Sequence, residues 1–172
     1  MVLAAAAVLL DLFLPTLVLL ALAAVSLGVR REHWASLGFH RLPSAWRTAG
    51  LILALSVAWT AVQLALIMPV VEHLTGERQD VSDFAEVEGN LPLLLALLAA
   101  TWTLAAVGEE TAYRGYLLTR VSEALGSGRV ATVVAVLASS VLFGLAHTEQ
   151  GLVGVVLTTV DALFFSWLRF RL

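Results

Sequence analysis

From Leu91 to Arg114 the chain reads LPLLLALLAATWTLAAVGEETAYR. An apolar run long enough to cross a bilayer as helix passes without a breaker into two adjacent glutamates and an arginine. Pro92 suits the first turn of a helix, and the next breaker is Gly126-Ser127-Gly128, so one helix is predicted from Leu91 to about Leu125. That is longer than one crossing, which calls for tilt, a kink at Gly108 or a tail beyond the membrane core. Charges deep in such a helix cost roughly 2.5–3.5 kcal/mol each on insertion scales, so they are paired or functional as a rule.

The rest of the chain repeats the apolar pattern. Of 172 residues, 60% are hydrophobic and 13% charged, and the mean hydropathy is +0.92. A water-soluble domain carries about 25% charged residues, so lipid is the solvent for most of this sequence. Five spans are predicted: Val2 to Val29, Thr48 to Val71, the helix from Leu91, Val130 to Ala146 and Leu152 to Leu168. The first lacks the basic start of a cleavable signal and reads as a retained helix. The fold class is all-α: a polytopic transmembrane helical bundle forming one integral membrane domain over 1–172, with its site between the third and fourth helices. The formal charge of −3, with ten arginines and no lysine, leaves no field for a nucleic-acid backbone. With no cysteine, any chemistry falls to carboxylates, histidines and hydroxyls. Arg30, Arg31, Arg41, Arg47, Arg114, Arg120, Arg129, Arg169 and Arg171 fall on one side of this topology, which the positive-inside rule makes cytoplasmic, with the N-terminus outside.

Glu110 and Arg114 are four apart with the acid first, so their side chains meet on one helix face. Glu109 lies about 100° further round the helix, free to face another surface. Phe143-Gly144-Leu145-Ala146-His147 closes the fourth helix, and the turn at Ser127 folds that helix back on the third. Glu109 and His147 stand at nearly equal distances from the turn, so an antiparallel hairpin brings them level. A Glu–His pair able to share a water is the minimum equipment for general-base hydrolysis. Phe143 lies one turn before His147, and Ser140 with Gly144 gives a small-xxx-small spacing that admits a neighbouring helix closely. Asp11 and Asp161 also lie in apolar runs, where a lone acid pairs with a neighbouring helix more often than it reacts. His33, His40 and His73 read as interfacial or solvated.

Glu109-Glu110-x-x-x-Arg114 followed by Phe143-x-x-x-His147 on successive membrane helices resembles the CPBP family of intramembrane proteases, which includes the type II CAAX prenyl endopeptidases and bacteriocin-processing or immunity relatives. The resemblance covers about Ala99 to Leu172; residues 1–98 match by hydropathy only. It implies hydrolysis of a peptide bond in or near the membrane by water activated between Glu109 and His147, with Glu110, Arg114 and Phe143 in support. Where the family's reaction uses a divalent metal such as zinc, Glu109 and His147 would be its ligands. The implied partners are the bilayer and a peptide or protein substrate, membrane-associated or prenylated, and the implied location is the cell membrane of a prokaryote. The family also carries a third motif, His-x-x-x-Asn, some thirty residues further on; no histidine follows His147 here, so the oxyanion donors of that motif are missing from the sequence. The competing expectation is a catalytically inactive member acting as a membrane binding or bacteriocin-immunity partner.

Overall fold

The computed structural model describes residues 2–38 and 44–171. His40 and Arg41 of the first connection fall outside the described residues, as does the side chain of Asp11. Helix α1 covers Val2–Arg30 and is followed by a single tight turn, Trp34–Leu37. Helix α2 begins as Ala45–Val62, widens through a π turn at Gln63–Ile67 and finishes as Met68–Thr75. The acidic connection holds another short turn, Ser82–Val87. Helix α3 starts as Leu91–Ala100, runs in the wide π form over Thr101–Leu117 and returns to α-helix at Leu118–Ala124. Helices α4, Arg129–Leu145, and α5, Gly151–Arg169, complete the chain. No strand occurs among the described residues.

Helices stand at all five expected places. Three of them, over Trp46–Thr75, Leu91–Ala124 and Thr148–Arg169, are long and apolar enough to cross a membrane; Leu14–Arg30 and Arg129–Leu145 are apolar but shorter. The termini follow local chemistry. The Asn90 side chain accepts a hydrogen bond from the Leu93 amide at 3.2 Å and caps α3, with Pro92 in the first turn where its missing N–H costs nothing. Gly126 and Ser127, both at positive φ, make the reversal between α3 and α4.

Lipid tails are as apolar as leucine side chains, so helices in a membrane are held by close packing and polar contacts. The core is small: Ala112 and Tyr113 of α3, Phe143 of α4 and Ala162 of α5, with Leu19 and Leu20 of α1 packed against them. Gly144 makes the α4–α5 crossing possible, because a side chain there would collide with Thr159 Oγ1 and the Val155 carbonyl. Gly108 likewise lets α1 approach α3 through Thr16 and Leu20. At the arginine-rich end, Arg120 bonds Glu32 at 2.6 Å and Glu123 at 2.8 Å, and Arg30 bonds the same two acids at 2.7 and 3.1 Å. This ring ties the exit of α1 to the end of α3. Hydrogen bonds from Arg120 and then Arg30 hold the Glu32 carboxyl down at about 2.

Helix α2 is the outlier. None of its residues from Trp46 to Thr75 is buried. It rests on α5 through the Met68–Thr75 segment and through one polar contact at Asp161, to which Trp59 Nε1 and Gln63 Nε2 both donate at 2.6 Å. The acid pairs with a neighbouring helix, as a lone membrane aspartate commonly does.

Candidate active site

The π-wound stretch of α3 carries the whole glutamate–arginine motif. Extended π winding is rare and concentrates at functional sites. Glu109, Glu110 and Arg114 line one cavity of about 630 Å³ together with Phe143 of α4, Phe165 and Arg169 of α5, and Ile52 and Ser56 of α2. Glu110 Oε1 stands 3.4 Å from Arg114 Nε, so the ion pair expected from the spacing of four forms in spite of the wider winding.

Arg114 is the most deeply placed charge, with 3% of its surface exposed. Its guanidinium lies over the Phe143 ring, 4.2 Å from the centroid, and 5.8 Å from the Phe165 ring on the next helix. Nε and Nη1 have no hydrogen-bond acceptor among the described residues. The cation is therefore held by two aromatic faces and one carboxylate, an arrangement worth about 2 kcal/mol or more when a cation–π pair is desolvated. Phe143 also meets Tyr113 edge to face at 5.0 Å and the His147 ring at 4.7 Å, so one phenyl ring connects the arginine to the histidine. Ser139 fixes the local backbone by donating to the Tyr113 carbonyl at 2.9 Å.

His147 Nδ1 lies 2.8 Å from the Phe143 carbonyl oxygen. A carbonyl only accepts, so Nδ1 carries a proton, and in the neutral imidazole the lone pair falls on Nε2. His147 is not part of the cavity lining; it sits past Phe143. The half-buried Glu109 lies within electrostatic reach of His147, Arg114 and Glu110. The two acids and the arginine thus share one chamber, and the histidine lies outside its lining but within electrostatic reach of Glu109.

Contributors that the sequence did not single out as site residues include Ile52 and Ser56 on α2, and Phe165 and Arg169 on α5. A signal existed for the second pair. Asp161, Phe165 and Arg169 are spaced by four and form one stripe along α5. Asp161 heads that stripe at the contact with α2, and Arg169 ends it, packing on Gly38 and donating to Thr119 Oγ1 at 3.2 Å. The α2 residues carry no such pattern.

A structural or catalytic zinc usually takes three protein ligands or more. Among the described residues no three histidine, aspartate or glutamate side chains converge in that way. Glu109 and His147 would be two ligands lacking a third, and no step below is routed through a metal.

The arrangement is that of an integral membrane protein of helices with ionisable groups gathered in one cavity between them. Residues 91–172, from the cap of α3 to the end of α5, match the family described as type II CAAX prenyl endopeptidase Rce1-like, which supports membership of this CAAX-protease family. No curated protein matches the chain, and no solved structure does.

Proposed function

We propose that the chain is an intramembrane endopeptidase in which Glu109 and His147 activate a water against a peptide carbonyl. The observation that carries this reading is the free Nε2 of His147, its tautomer set by the Phe143 carbonyl, within electrostatic reach of Glu109. In the proposed reaction the Glu109 carboxylate accepts a proton from a water whose other side is held by Nε2. The hydroxide adds to the carbonyl carbon, and as the C–N bond breaks the proton passes to the departing amine. Arg114 pairs with Glu110 and keeps the α3 motif seated against α4 and α5; Phe143 orients both Arg114 and His147. The family's name makes a prenylated peptide ending in a CAAX sequence the first substrate to offer, and the membrane is proposed to be the cell membrane of a prokaryote.

The test is cleavage by purified protein in lipid nanodiscs, read by mass spectrometry, on a farnesylated CAAX peptide and on a pool of apolar peptides. Cleavage at a defined bond should fall about 10²- to 10⁴-fold in Glu109→Gln, the usual worth of general-base catalysis. His147→Gln should lose activity comparably. Cleavage that persists in both variants, or no cleavage by the unaltered chain on either set, would overturn the proposal.

A further inference from the structure

We infer that Asp161 is a latch that sets the position of α2, and with it the width of a sideways opening from the lipid into the acidic cavity. Before its π turn, α2 makes only sparse contact with the other helices, and its apolar surface is exposed throughout. Yet Ile52 and Ser56 on this segment form the wall that faces Thr101, Ala106 and the two glutamates of α3 across the cavity. Something must hold that wall in place, and the structure offers one point. Trp59 and Gln63, one turn apart, both donate to the same oxygen of Asp161, and the Trp59 ring stacks on Phe164 with centroids 4.0 Å apart and 3° between planes.

The surroundings suit a latch better than a rigid joint. Gln63 opens the π turn, where the regular hydrogen-bond ladder is interrupted and a helix bends most readily. Beyond it, Met68–Thr75 packs on α5 and is anchored. The segment 45–62 is thus an arm pivoting on the turn, with the latch beside the pivot and the cavity wall further out. Gln63 Oε1 is buried without a partner among the described residues, so the closed arrangement leaves one polar group unsatisfied, which counts against it. Both bonds converge on Oδ1, and the side-chain oxygen of an asparagine could accept both. With the latch released, a ligand reaching Glu109 and Glu110 from the lipid would pass between α2 and α3.

The chain has no cysteine, so spin labels can be placed cleanly. Leu53→Cys and Trp102→Cys put labels on exposed positions beside the lining residues Ile52 and Thr101, outside the cavity. Double electron–electron resonance in nanodiscs should give a narrow distance distribution for the otherwise unaltered chain and for Asp161→Asn. Asp161→Leu should shift it outward and broaden it. Where Asp161→Leu fails to insert, the double variant Trp59→Phe/Gln63→Leu, which keeps the acid and removes both donors, carries the same expectation. An unchanged distribution on removing the acid or its donors would overturn the latch, as would an Asp161→Asn distribution as broad as that of Asp161→Leu. Neither result depends on whether the site hydrolyses peptides.

Discussion

The two halves of α3 differ sharply in burial. Leu91–Ala100 is almost wholly aliphatic and buries nothing, whereas the stretch from Thr111 to Gly115 is buried residue by residue, Arg114 included. In water the order would be reversed. In a membrane the aliphatic half already sits in its preferred solvent, while the polar half must find partners inside the protein. The same contrast separates α2, apolar and exposed, from α4, whose Ser139, Ser140 and Gly144 are buried against its neighbours. Along α3 and α4 small and polar residues are buried while much of the aliphatic surface stays exposed, and the site lies on those two helices.

The largest test of that contrast is at the tightest crossing. Gly144→Leu should cost about 3 kcal/mol or more, the upper end of what overpacking costs, because Thr159 and the Val155 backbone stand where the side chain must go. Reversible unfolding in mixed micelles would measure it. Phe143→Leu keeps the volume class but removes the aromatic contacts to Tyr113, His147 and Arg114; a loss of about 1–3 kcal/mol is expected, with Phe143→Trp recovering part of it.

A smaller effect is expected at the arginine-rich end. Glu32 is held near 2 against an ordinary value of 4.5, so its contribution to stability is complete above about pH 4.5 and is lost as pH falls toward 2. Acid titration of thermal stability should show this loss, and Glu32→Gln should flatten that part of the curve. The smallest effect belongs to the exposed half of α3. Leu94→Ala should change stability by under about 0.5 kcal/mol. A loss as large as that of Phe143→Leu would mean that the aliphatic half is packed after all, and the contrast would fail.

Much of the architecture is legible in the sequence because bilayer thickness fixes the length of an apolar run. The five helices, the reversal at Gly126-Ser127 and the cap at Asn90-Leu91-Pro92 all follow from local rules. The Glu110–Arg114 pair and the close approach at Gly144 are legible for the same reason, since each depends on residues one turn apart. The cavity walls are different. Ile52, Ser56, Phe165 and Arg169 join the site from helices about fifty residues away on either side, and no local spacing announces which α2 residue will face Glu109. The π winding of α3 is equally silent, because an apolar sequence with period 3.6 does not reveal a change in its own hydrogen-bond pattern. Arg114 illustrates both limits: its partner on the same helix is legible, while its stacking on two rings from other helices is not.

The central claim is that Glu109 and His147 lie close enough to share one water. In this cysteine-free chain, Glu109→Cys with His147→Cys should be joined by a thiol crosslinker no longer than about one helical turn, 5.4 Å. The pair Thr16→Cys with Gly108→Cys, whose positions are in contact, sets the positive control. Rapid crosslinking of both pairs in nanodiscs is the predicted result. Crosslinking of the control pair alone would place the two side chains apart and contradict the shared-water site.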